Sequence, residues 1–173
     1  YSLTPVNTIS GNVVHDNTLV GISSSSASNV IGNTVYGQLN STYAGIQGGG
    51  GRIVDNTVYN NYNGIMASGQ AVVDHNRVFH NIGYGISVQS NSQAIGNRVY
   101  SNSVGIQVYN GFTGRIENNL VYANTSQGIQ INGVGAFYAI AQVNNNTVYQ
   151  PVGDAIRRLG CIEFRDRALR VQR

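Results

Sequence analysis

A short motif, Asn-x-Val followed by a ring-bearing residue, recurs seven times along this chain and restricts what it can fold into. Asn12 leads to His15, Asn33 to Tyr36, Asn56 to Tyr59, Asn76 to Phe79, Asn97 to Tyr100, Asn119 to Tyr122 and Asn146 to Tyr149. Successive Asn residues are separated by 21, 23, 20, 21, 22 and 27 positions. Three positions before each Asn stands an apolar residue: Ile9, Val30, Ile53, Val73, Ala94, Ile116 or Val143. Eight to twelve positions after it comes Gly-Ile, with Ile22, Ile46, Ile65, Ile86, Ile106 and Ile129; the last repeat has Ala155-Ile156. A fixed period in the range of about 20–50 residues is the signature of a stacked repeat architecture.

Each repeat thus holds three apolar segments of two to four residues, parted by Gly or Asn corners. Val, Ile, Thr and Tyr favour strands, and the breakers come too often for a helix. The expectation is an all-β, right-handed parallel β-helix solenoid of about seven coils with three short strands each. It occupies residues 1–156, and residues 157–173 form a C-terminal cap or the start of a following segment. A cap is needed because the last coil exposes unpaired backbone. In such a stack the Val of each motif points inward and piles on its copies, and the Ile of Gly-Ile builds a second spine. The Asn stands at a bend, where its amide can bond backbone and form a ladder from coil to coil.

This pattern resembles the right-handed β-helix repeat family within the pectate-lyase-like superfamily, over residues 9–156. The resemblance implies a secreted bacterial protein, extracellular, at the cell surface or periplasmic. It also implies a polysaccharide partner, bound or modified in the manner of lyases and epimerases. The alternative within the same fold is a non-catalytic structural or adhesive rod. Fold likeness alone does not choose between them.

Composition narrows the partners. Only 10% of residues are charged and no run of 18 apolar residues occurs, so no membrane span is expected. The net charge of +3 comes from Arg alone, and six of the ten Arg lie in residues 157–173. The body carries Arg52, Arg77, Arg98 and Arg115 against five acids, a balance that argues against nucleic acid. A single Cys, Cys161, allows no internal disulfide. One Met and three His exclude copper handling, zinc spacing and calcium nonapeptides are absent, and no cofactor is expected. The chain opens on Tyr1 and reads as part of something longer.

Two sets of residues are candidates for function. Alignment on the Asn places Asp55 and His75 in one column, with Arg77 and Arg98 in the column two positions on. An acid–imidazole pair beside Arg can take a proton next to a sugar carboxylate while Arg holds the charge. Asp and His are equally ordinary turn residues. The second set is a binding surface. Gln107 and Gln130 share an outward position after the Gly corner, in a column that also holds Ser23, Gln47, Met66 and Ser87 and has no acid or base. The longest insertions between coils carry Tyr109, Phe112, Phe137 and Tyr138, and insertions on one face of a solenoid often build its binding surface. The ring column from His15 to Tyr149 should face outward, either to hold sugar rings or to brace the strands by stacking.

Overall fold

A computed structural model describes residues 7–25, 28–109, 111–132 and 141–159. Among these, every strand pairs in parallel, and the strands form three sheets of seven. The first sheet contains Thr8–Ser10, Asn29–Ile31, Arg52–Val54, Val72–Asp74, Gln93–Ile95, Arg115–Glu117 and Gln142–Asn144. The second contains Val13–His15, Thr34–Tyr36, Thr57–Tyr59, Arg77–Phe79, Arg98–Tyr100, Leu120–Tyr122 and Thr147–Tyr149. The third contains Ile22–Ser24, Ala44–Gly48, Asn63–Ala67, Tyr84–Val88, Val104–Val108, Gln127–Asn132 and Ile156–Leu159. Each coil contributes one strand to each sheet, so the chain is the expected parallel β-helix. The third sheet continues to Leu159, three residues beyond Ile156. No described helix is long and apolar enough to cross a membrane.

The register places like residues over one another. Val58 pairs with Val78, and Val78 with Val99. Ile46, Ile65, Ile86 and Ile106 follow the same rule in the third sheet. All seven of these side chains are fully buried, within one core that runs the length of the stack. At roughly 25 cal/mol per Å² of apolar surface, the burial of each such side chain favours folding by about 1.5–3 kcal/mol.

The corners have their own logic. The residue before each motif Asn adopts a left-handed conformation: Gly11, Gly32, Asp55, His75, Gly96, Asn118 and Asn145 all have φ between 52° and 69°. The residue after the ring does the same at Asp16, Gly37, Asn60, His80, Ser101 and Ala123. Gly, Asn, Asp and His are the residues that tolerate this region best. The Asn itself follows the left-handed residue and turns inward. Asn33, Asn56, Asn76, Asn97 and Asn119 are each 1% exposed. In each, the backbone N–H and the side-chain amide both donate to Oδ1 of the Asn one coil on, as from Asn56 to Asn76 at 2.9 Å.

A second buried ladder runs beside the first at the opposite end of the second sheet. Gln38 donates from its backbone to Asn61 Oδ1, Asn61 to Asn81, Asn81 to Asn102, and Asn102 to Asn124, at 3.0–3.1 Å. Its sequence signal is a second Asn two positions after the ring, present at Asn61, Asn81, Asn102 and Asn124. Gly21, Gly45, Gly64, Gly85 and Gly105, each before a third-sheet Ile, face the Val spine and this ladder. A Cβ on Gly85 would lie 2.6 Å from Val99 Cγ1 and 2.7 Å from Asn102 Nδ2.

Candidate functional site

The four residues expected to carry proton chemistry lie on two elements, Asp55 and His75 on a corner and Arg77 and Arg98 on strands of the second sheet. Asp55 and His75 occupy the left-handed corner between the first and second sheets. The His75 ring leans toward the next coil, within 3.1 Å of where a Cβ on Gly96 would stand. Its Nδ1 bonds Asp74 Oδ1, and Asp74 Oδ2 accepts a hydrogen bond from Arg52 Nη2 at 3.1 Å. The acid that meets His75 is therefore its neighbour Asp74, with Arg52 as the third member. The diagonal step from Arg52 to Asp74 across one coil is the signal that column alignment overlooked. Asp74 is only 16% exposed, yet Arg52 and His75 are 58% and 66% exposed, so the pairing contributes no more than about 1 kcal/mol.

Arg77 and Arg98 lie on the outer face of the second sheet and turn toward the rings there. Arg77 donates through Nε and Nη2 to the Tyr100 hydroxyl at 2.9 and 2.7 Å. Arg98 Nε donates to the Tyr122 hydroxyl at 3.0 Å. The rings form an unbroken stack from His15 through Tyr36, Tyr59, Phe79 and Tyr100 to Tyr122, with centroids 4.8–5.1 Å apart. The interplanar angles are 16° or less, so the faces of the inner rings are covered by their neighbours. Of the two roles open to this column, the bracing one is what the geometry displays.

The outward column of the third sheet is a continuous row: Ser23, Gln47, Met66, Ser87, Gln107, Gln130 and Arg157 pair successively. Its middle is not open. Ser87 is 4% and Gln107 2% exposed. Tyr84 begins one strand and Tyr109 follows the end of the next, yet their rings meet edge to face at 6.4 Å. The Tyr84–Tyr109 pair thus bridges two neighbouring coils of the third sheet. Burial, followed by the hydrogen bond to Tyr84 and the charge of Tyr84, raises the pKa of the Tyr109 hydroxyl above the ordinary phenol value. Gln107 Oε1 is buried without a hydrogen-bond partner. Gln130 is half-buried, and its Nε2 donates to Asn132 Oδ1 at 2.9 Å.

One expected contact residue is corrected. Phe112 does not face solvent from its insertion: it is fully buried and belongs to the core cluster. Its N–H bonds Tyr109 O at 3.3 Å in a turn that folds the loop back. A ring of this size is better hidden in the core than held in water. Phe137 and Tyr138 lie outside the described residues. Among the described residues no group of three or more His, Cys, Asp or Glu could hold a metal.

A family model described as "Right handed beta helix region" matches residues 3–114. Among solved structures, the periplasmic alginate epimerase AlgG is similar, with a TM-score of 0.66 and 21% identity. That match covers 87% of this chain and 44% of AlgG. The A-module of the Azotobacter vinelandii mannuronan C-5 epimerase AlgE4 is also similar, with a TM-score of 0.63 and 16% identity over 90% of this chain and 56% of the module. This chain therefore spans about half the length of the solved proteins it matches, and the likeness is one of fold. No curated protein matches it.

Proposed function

The chain belongs to the right-handed β-helix family, and on that premise we propose that it is a module that binds an extracellular or periplasmic polysaccharide along the outer face of its third sheet. One observation carries the proposal. A row of hydroxyl and amide side chains at single-strand spacing runs along the strands that Tyr84 and Tyr109 flank, and within it the buried Gln107 Oε1 lacks a donor. A buried acceptor left unpaired costs about 1–3 kcal/mol, so a side-chain shift that brings Gln107 Oε1 to a sugar hydroxyl is favoured. Aromatic rings near a few polar groups are the usual make-up of a small-ligand site. The two solved proteins it resembles are, by their descriptions, epimerases of alginate and of mannuronan, which favours a polysaccharide over other ligands.

Binding rather than turnover is the reading the row supports. It offers no carboxylate or imidazole, and the Arg52–Asp74–His75 group stands on another corner of the coil. Asp55, His75, Arg77 and Arg98 remain the candidates for any proton transfer. Titration calorimetry against alginate, polygalacturonate and neutral mannan, with a parallel assay for unsaturated ends, tests the proposal. Binding should occur and should weaken about tenfold in Gln107→Ala or Tyr109→Ala, without new ends appearing. Absence of binding to every polymer would leave the second reading, a structural rod, which the closed ring stack of the second sheet favours.

A further inference from the structure

Tyr84 and Tyr109 belong to neighbouring coils and stand 25 positions apart in the chain. Among the described residues they are the two tyrosines that meet edge to face, with ring centroids 6.4 Å apart and planes at 82°. Their hydroxyls are hydrogen-bonded, which brings the oxygen-bearing edges of the two rings together. Tyr109 is 38% exposed, so a dissolved oxidant can reach its ring. Neither ring packs on a third among the described residues.

The tyrosine pairs of the second sheet are built differently. Tyr36 lies on Tyr59 at 5.0 Å and Tyr100 on Tyr122 at 4.8 Å, with planes 16° and 8° from parallel. A bond between two rings lies in the plane of both, so rings stacked face to face must leave the stack to form one. Tyr59 and Tyr100 would also lose Phe79, which lies between them. The Tyr100 and Tyr122 hydroxyls are held besides by Arg77 and Arg98. Tyr84 and Tyr109 give up no stacking when they turn.

We propose that Tyr84 and Tyr109 are a modification site, at which oxidation by a peroxide joins the two rings as dityrosine and staples neighbouring coils of the third sheet. Each phenol gives up one electron and its hydroxyl proton. The unpaired electron spreads over the oxygen and the ortho and para carbons, and the para carbon already carries Cβ, so coupling falls to the ortho carbons. One ortho carbon of each ring enters the new C–C bond. The hydrogens displaced from those carbons return to the two oxygens as hydroxyl protons. The two electrons and two protons released convert one hydrogen peroxide into two waters. The hydroxyl of one ring, bonded to that of the other, has an oxygen at hand to take its proton as the electron leaves. The product closes a loop of 25 residues, and a cross-link of that kind restrains the unfolded chain. This chemistry needs no polysaccharide and goes beyond the binding role proposed above.

The test is brief exposure of the intact chain, at low protein concentration, to hydrogen peroxide and a haem peroxidase. The monomer should gain dityrosine fluorescence and lose the mass of two hydrogens. Cleavage after arginine should then release peptide 78–98 joined to peptide 99–115, and fragmentation should place the link at Tyr84 and Tyr109. The thermal midpoint should rise by roughly 5–10 °C. Tyr84→Phe and Tyr109→Phe, whose untreated midpoints show that they fold, should each abolish the link and the rise. Tyr36→Phe/Tyr59→Phe should keep both. Dityrosine that maps to Tyr36 and Tyr59 or to Tyr100 and Tyr122, that occurs only in covalent dimers, or that is undiminished in Tyr84→Phe overturns the proposal. So does a wild type that yields no dityrosine.

Discussion

Asn97 gives both its backbone N–H and its side-chain amide to a single acceptor, Asn119 Oδ1, at 2.9 and 3.0 Å. Its own Oδ1 receives the same pair from Asn76 at 2.9 and 3.0 Å. Each rung is thus at once donor to one coil and acceptor to the other, in a dry setting where an unmade bond is costly. Replacement of Asn97 by Ala leaves the Asn76 backbone N–H without its acceptor and removes the amide's bonds to the carbonyls of Val73 and Ile95 at 2.9 and 3.1 Å, while Asn76 Nδ2 keeps Ile53 O and Asp74 O. The expected loss is about 2–4 kcal/mol. Asn12→Ala, at the exposed end of the ladder, should cost under about 1 kcal/mol. Urea unfolding followed by circular dichroism measures both, and equal losses would contradict the ladder account.

The glycines separate into two kinds that substitution can tell apart. Gly85 needs the absence of a Cβ, because the atom would fall 2.7 Å from Gly105 O as well as against Val99. Gly32 needs its φ of +64°, and nothing lies within 4 Å of a Cβ there. Gly85→Ala should cost about 3 kcal/mol by overpacking, and Gly32→Ala about 1 kcal/mol by left-handed strain. Asn in place of Ala should lower the cost at position 32 and increase it at position 85. The four midpoints of thermal unfolding decide the matter.

Tyr59 is stacked on both sides, by Tyr36 at 5.0 Å and by Phe79 at 5.1 Å. Tyr59→Ala opens the stack and should cost about 1–3 kcal/mol, since each ring pair contributes roughly 0.5–1.5 kcal/mol. Tyr59→Phe keeps both contacts and should be nearly neutral. If the alanine variant is as stable as the phenylalanine one, the column does not brace the sheet.

The raised pKa of Tyr109 makes stability depend on alkaline pH. Above the ordinary phenol value of about 10 the unfolded chain has released this proton while the folded chain still holds it. The contribution is therefore intact below that pH and is lost as pH rises through the folded value. Tyr109→Phe should flatten that part of the stability profile, as measured by urea midpoints across the alkaline range. An unchanged slope would show that the hydroxyl is not shielded.

The period of the motif alone was enough to establish the coil, the three-strand division and the inward Val and Ile spines. Those follow from chain geometry: residues one repeat apart must fall at one strand spacing, so column membership can be read by counting. The first Asn ladder was legible for the same reason, and the second was equally written in the Tyr-x-Asn spacing. Tertiary structure decided what counting cannot reach. The Asp55–His75 column proved to be a left-handed corner, where the residue types reflect backbone conformation, and His75 found Asp74 and Arg52 instead. Arg77 and Arg98 turned to the rings of the next coil because the hydroxyls of Tyr100 and Tyr122 offered acceptors there. Phe112 entered the core, and Tyr84 met Tyr109 across two coils, because loop paths and rotamers answer to packing between coils. A periodic sequence specifies which residues are stacked neighbours, while the direction each long side chain takes is settled only when all the coils are in place.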